Sequence, residues 1–158
     1  DRIKGGKWHI QIYTRLPVID AMKDLLAAAP MPVVFDHFGG VQAAPGPMQP
    51  GFDALTNLLR DGKIYVKISA PYRSSKLPDF SDVAPIAKAL IAANSRRILW
   101  GSDWPHPGTP VPGRKLSVIT PFFKIDDGRI LNLLPAWAPA PALRKAILVE
   151  NPAELYGF

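Results

Sequence analysis

Four short stretches of the chain carry the apolar pattern of strands. WHIQIY at 8–13 alternates, with Trp8, Ile10 and Ile12 on one face and His9, Gln11 and Tyr13 on the other. PVVFDHF at 32–38 is a short apolar run ending in polar residues. KIYVKIS at 63–69 alternates again, and RILWGSD at 97–103 is a second apolar run with a polar end. Each stretch leads to a segment with the marks of a helix. PVIDAMKDLLAAA at 17–29 opens on a proline, suited to a first helical turn, and GFDALTNLLRDG at 51–62 closes on a glycine suited to a left-handed cap. SDVAPIAKALIAAN at 81–94 starts at Ser81, a candidate N-cap. A longer irregular stretch follows the fourth strand, and PALRKAILVENPAELYGF ends the chain.

The strand starts at 8, 32, 63 and 97 are spaced like βα units, and strands alternating with helices predict a parallel sheet. The choice lies between an open doubly wound sheet and part of a (β/α) barrel. No G-x-G-x-x-G follows any strand, which weakens the dinucleotide-binding version, and DHFGG is too short a glycine cluster for a phosphate cradle.

Polar and ionisable residues gather where the strands end. Tyr13 ends the first, His37 the second, and Ser69 the third, with Tyr72 and Arg73 just beyond. Asp103 ends the fourth, with His106 just beyond. In a barrel all these ends surround one mouth, so four such junctions predict one site. Taken singly, each has a plainer reading: Asp103 as a turn start, Arg73 as a solvated cation, Tyr72 as packing. His9 reads as interior structure, Asp36 as facing the helix layer or a neighbouring backbone, and Trp100 and Trp104 as packing.

Composition changes this picture in a few respects. Of 158 residues 47% are apolar and 20% charged, which is globular and enough for one compact domain with a core. No apolar run is long enough to span a membrane, and the N-terminus has no apolar leader segment. The absence of cysteine excludes disulfides and thiolate metal ligands and fits a cytoplasmic enzyme. The net charge of +6 comes from scattered Lys and Arg with no nucleic-acid motif, so a small anionic substrate is expected and nucleic acid is not. The 18 prolines cluster in loops such as AAPGPMQPG and DWPHPGTPVPG, rigid connections that can display side chains.

VVFDHFGG, KISAPYR, ILWGSDWPHP and NPAELYGF together resemble the C-terminal half of the amidohydrolase superfamily, in the branch of 2-pyrone-4,6-dicarboxylate lactonase and related TIM-barrel hydrolases. The resemblance implies an α/β fold in which residues 1–158 form the last four βα units of a (β/α)8 barrel, a single domain. It implies Asp103 as the general base on the attacking water and His37 as the group that polarises the scissile carbonyl. It also implies Arg73 on a substrate carboxylate, with His106, Tyr13, Tyr72 and Ser69 completing the pocket. These roles suit the chemistry. An ordinary aspartate is ionised at neutral pH and can take a water proton; a neutral imidazole can donate to a developing oxyanion; arginine can grip a carboxylate.

Two departures bear on the cofactor. The His-x-His pair that holds a divalent metal in most of the superfamily does not occur here, and HIQIY ends in Tyr13 where many members place a ligating histidine. No metal is therefore expected, the alternative being one divalent ion such as zinc. The chain opens on Asp1 and is expected to be a piece of something longer, inactive alone. A missing N-terminal half or a homodimer partner would close the barrel. Against the lactonase reading stand a zinc-dependent decarboxylase or amidohydrolase of the same superfamily, and a non-catalytic half-barrel binding module.

Overall fold

The computed structural model describes residues 8–108 and 119–158. Four strands, β1 (Ile10–Ile12), β2 (Val33–Phe35), β3 (Ile64–Ser69) and β4 (Ile98–Gly101), form one parallel sheet in the order β1-β2-β3-β4. Val33 pairs with Ile10 and Ile64, and Val66 with Phe35 and Ile98. A doubly wound sheet reverses strand order at a switch point; this one advances by one strand at every crossover, as a barrel wall does.

The crossovers carry α1 (Leu16–Ala21) and α2 (Lys23–Ala27), then α3 (Phe52–Arg60), then α4 (Pro71–Ser74) and α5 (Ala84–Ala93). Beyond β4 come α6 (Asp127–Leu131), α7 (Leu134–Trp137) and α8 (Pro141–Lys145), then a π-helical turn at Ala146–Glu150 that runs into α9 (Asn151–Tyr156). The helix expected over 17–29 is thus two pieces meeting at Met22, whose N–H is shared between Val18 O and Ile19 O. The expected cap at Ser81 is supplied instead by Asp79, whose carboxylate accepts from both the backbone N–H and the hydroxyl of Ser81. Gly62 takes the left-handed conformation its place after α3 predicts, at φ +69°. The stretch expected to be irregular holds α6 and α7.

The helices pack on one face of the sheet. Val33, Phe35, Ile64, Val66, Ile68 and Ile98 meet Leu16, Ile19, Leu55, Leu59, Ile86 and Leu90 in one core. Each such side chain stabilises the fold by roughly 1.5–3 kcal/mol relative to exposure. The opposite face is sparsely apolar, with Val34, Tyr65 and Leu99 touched by Leu155 of α9. The C-terminal element is pinned by Asn151, fully buried, whose Nδ2 donates to Ser95 O at 2.8 Å and Ile98 O at 2.7 Å. Among the described residues, no helix is long and apolar enough to cross a membrane.

Candidate active site

The ends of β2, β3 and β4 turn through left-handed backbone where they present their side chains. After β2 the residues His37, Phe38, Gly39 and Gly40 have φ of 50°, 56°, 68° and 73°, a left-handed turn. Gly40 is irreplaceable there, since a Cβ would fall 1.9 Å from Thr14 O. Ala70, Asp103 and His106 also have positive φ, at 50°, 68° and 61°. A non-glycine residue pays for that conformation, and such residues gather where side chains must be aimed.

The turn after β2 decides where Asp36 and His37 point. Phe35 faces the helices, so Asp36 continues the alternation onto the opposite face, and the left-handed turn redirects His37 to the rim. Asp36 therefore does not face the helix layer, as the assumed strand to residue 38 suggested. Its Oδ1 lies 3.2 Å from Lys67 Nζ and its Oδ2 accepts from Gln11 Nε2 at 2.8 Å. Lys67 in turn donates to Gln11 Oε1 at 2.8 Å, closing a polar triangle across β1, β2 and β3.

Asp103 is the centre of the rim. Its Oδ2 accepts from Tyr72 Oη at 2.6 Å and from Arg73 Nε at 2.8 Å. Its Oδ1 faces His37 Nε2 at 3.5 Å. One carboxylate oxygen is thus saturated by two donors, and the other stays open towards the imidazole. Ser69, expected among the pocket residues, is 2% exposed and sits behind that ring, with Oγ 2.9 Å from Nδ1. A hydroxyl donating to Nδ1 leaves the neutral ring's hydrogen on Nε2, the nitrogen that faces Asp103. Burial, the main cause, lowers the His37 imidazole from its ordinary value; Asp103 and Asp36 oppose this, while Arg73 and Lys67 reinforce it.

Arg73 lies against both Tyr72 and Phe123, with Cζ 5.4 and 5.8 Å from their ring centroids, and the two rings meet each other at 5.3 Å. Its Nη2 donates to Pro107 O at 2.8 Å. Burial alone would lower the guanidinium, but the Asp103 bond and charge outweigh it and raise it. Burial first, then Asp103, pushes the Tyr72 hydroxyl well above its ordinary range.

A cleft of about 620 Å³ opens in front of these groups, lined by Tyr13, Arg15, His37, Tyr72, Arg73 and Phe123 among others. Tyr13 is 62% exposed, and its ring meets His37 edge-on at 5.0 Å. A second recess of about 310 Å³ lies on the inner face, bordered by Lys67, Asp36, Ser69, His37 and Asp103. Of the residues expected at the site, His37, Asp103, Arg73, Tyr72, Tyr13 and Ser69 converge. His106 is 6% exposed and stands behind Tyr72, its Nδ1 3.2 Å from the hydroxyl. His9 lies elsewhere, edge-on to Tyr156 at 5.3 Å. Trp100 packs partly against the helix-side core, while Trp104, expected to pack, is 76% exposed.

Sequence reasoning missed Arg15, Lys67, Phe123 and Asp127. Arg15 and Lys67 had a usable signal, since one lies two residues past a strand-end tyrosine and the other has the inward parity of Ser69. Phe123 and Asp127 had none, because a long connection brings them back.

As for a metal, the open donors here are His37 Nε2 and Asp103 Oδ1, and no cluster of three ligating side chains occurs among the described residues. A guanidinium 2.8 Å from the other Asp103 oxygen already supplies the neutralising charge. The described residues do not by themselves fit a divalent ion.

The chain is thus a parallel βα protein that carries an Asp–His pair at its strand ends. Residues 1–158 match the family described as amidohydrolase, and the chain belongs to that family. It is 39% identical over 152 residues to a 4-sulfomuconolactone hydrolase of Rhizobium radiobacter, covering 95% of this chain and 48% of that protein. It is 30% identical over 165 residues to a 2-pyrone-4,6-dicarboxylate hydrolase of Comamonas testosteroni, covering 98% and 50%. A solved Pseudomonas putida structure, described as a candidate 2-pyrone-4,6-dicarboxylic acid hydrolase, superposes with TM-score 0.78 at 30% identity, covering 99% and 54%. The chain spans about half the length of the curated relatives it matches.

Proposed function

We propose that this protein is a hydrolase that opens a lactone bearing anionic groups, with Asp103 activating the water. The observation that carries the reading is the Asp103 carboxylate, whose Oδ2 is held by two donors while Oδ1 faces His37 across 3.5 Å at the inner recess, with His37 also bordering the larger cleft. Water beside Oδ1 gives up a proton as it attacks the lactone carbonyl. The His37 Nε2–H donates to the carbonyl oxygen as negative charge develops there, and Ser69 keeps the ring in that tautomer. The ester C–O bond then breaks, and the proton on Asp103 passes to the leaving oxygen.

Arg73 and Arg15 give the cleft positive charge for the substrate's anionic groups. Since Arg73 Nε and one hydrogen of Nη2 already have partners, both hydrogens of Nη1 and the second of Nη2 are left for substrate among the described residues. Tyr13 and Phe123 supply flat walls for a planar ring. The relatives' names, a sulfonated muconolactone and a pyrone dicarboxylate, support this choice of substrate class. We take the sheet as the last four units of an eight-stranded barrel. Strands β1 and β4 have one unpaired edge each among the described residues, and the polar triangle of Gln11, Asp36 and Lys67 would be enclosed by further strands.

The test is turnover by the full-length protein of 4-sulfomuconolactone and 2-pyrone-4,6-dicarboxylate, with and without chelator. Hydrolysis of either, unaffected by chelation, is expected. Activity lost on chelation and restored by zinc would put the zinc-dependent alternative in its place, and turnover of neither would remove the substrate class.

A further inference from the structure

The arginines that border the cleft, Arg73 and Arg15, differ in what they already hold. Arg73 Nε donates to Asp103 Oδ2 at 2.8 Å, so a carboxylate meets its charge. Arg15 is exposed and has no carboxylate partner among the described residues, whereas Arg96 and Arg97 share Glu154.

The root of Arg15 is nonetheless fixed. Its carbonyl accepts from Val18 and Ile19 N–H at 3.0 and 3.2 Å, opening α1. Gly40, in the left-handed turn after β2, packs so close that a Cβ on it would stand 3.1 Å from Arg15 Cα. A Cβ on Gly51, just ahead of α3, would lie 3.0 Å from the carbonyl oxygen of the next residue, Leu16. Close backbone approaches from two other connections therefore set where this arginine springs from, while its guanidinium stays open to a ligand.

The place it springs from is a boundary. A second hollow of about 500 Å³ adjoins the cleft, and Arg15, Gly40 and Gln42 border both. Gln49, on the wall of that second hollow, is committed to its own loop: Nε2 donates to Gln42 O at 2.7 Å and Gly46 O at 2.6 Å, and Oε1 accepts from Gln42 N–H at 3.2 Å. The Gln42 residue itself is exposed. Among the described residues, no carboxylate lines either space. A cation without a counter-charge, on the wall of a concave and acid-free space, concentrates anions there. His37 borders the cleft and not the second hollow, so an anion at Arg15 belongs to a part of the substrate away from the bond that breaks.

We propose that Arg15, with Gln42 beside it, is a specificity-determining site for a second anionic group of the substrate, a carboxylate or sulfonate, while Arg73 serves the first. The proposal rests on the reading of the cleft as a lactone site and narrows the substrate class to lactones with two anionic groups. A contact of this kind, equal in the ground and transition states, lowers KM and leaves kcat alone.

Isophthalate, a planar ring with two carboxylates and no ester, and benzoate, with one carboxylate, are the probes. Calorimetric titration of the full-length protein should give a Kd about ten-fold lower for isophthalate at low salt, a preference that shrinks as salt is added. Arg15→Gln should bring the two within about threefold, and Arg15→Lys, which keeps the charge, should fall between. Because the guanidinium is exposed, both variants should melt within about 2 °C of wild type. In turnover of 2-pyrone-4,6-dicarboxylate, Arg15→Gln should raise KM about ten-fold with kcat within about twofold. A wild type that binds both probes alike, or neither, overturns the proposal, as does a preference that survives Arg15→Gln. A loss of kcat at unchanged KM overturns it too. Turnover of neither lactone, with a dianion preference that vanishes in Arg15→Gln, would defeat the lactone reading and leave the anion site standing.

Discussion

Replacing Asp103 with asparagine tests its proposed role as a base, because the surroundings dictate how the amide must sit. Two donors, Tyr72 Oη at 2.6 Å and Arg73 Nε at 2.8 Å, converge on Oδ2, so the amide oxygen takes that place. The NH2 group then falls where Oδ1 stood, 3.5 Å from His37 Nε2, and can accept nothing from water. General-base catalysis is worth about 10²–10⁴-fold, so kcat should fall by that factor, or about 3–5 kcal/mol in the barrier. Folding should suffer less. Both hydrogen bonds persist as neutral-acceptor bonds, each weaker by about 1 kcal/mol, and the melting temperature should drop by several degrees. The assay pairs initial rates on either lactone with thermal denaturation of the same sample. A variant that keeps its rate within about threefold refutes the assignment, because among the described residues Asp103 is the carboxylate within ion-pair distance of His37.

Three further predictions separate the site from its scaffold. Because His37 is lowered when folded, burial favours its neutral form; stability is complete above the unfolded value of about 6.5 and is lost as pH falls from there towards the lower folded value. The melting temperature of His37→Gln should be flatter than wild type across that window, and an equal slope in both would contradict it. Gly40→Ala places a Cβ 1.9 Å from a backbone oxygen at φ +73°, and should cost about 3 kcal/mol or more. Gly46→Ala, with φ +68° and open space around it, should cost only about 1–2 kcal/mol in the same denaturant titration. Asn151→Ala removes two buried hydrogen bonds from the sheet's lower end and should lower stability by about 2–3 kcal/mol while leaving kcat at saturation unchanged.

Much of the architecture was written in local pattern. Alternation and apolar runs located all four strands, and the βα spacing implied their parallel pairing. Gly62 and Pro17 marked helix ends because a left-handed cap and a fixed φ are local demands. Those signals also located His37, Ser69, Arg73 and Asp103, since a strand end is where alternation breaks. Parity misled at Asp36, because alternation predicts direction only while the backbone stays extended, and the chain leaves the strand after Phe35.

What the sequence determined by itself is the order of elements and the chemical kinds of residue at their ends, since both follow from interactions between near neighbours. Only the tertiary structure decided which atom of each group is engaged. Oδ2 of Asp103 is filled by donors from a helix thirty residues away while Oδ1 is left open, Ser69 meets Nδ1 of a ring on another strand, and Asp127 returns through a long connection to stand behind His106. Hydrogen bonds between distant segments depend on ångström distances and on how many hydrogens each group has to give, and no spacing along a chain encodes either.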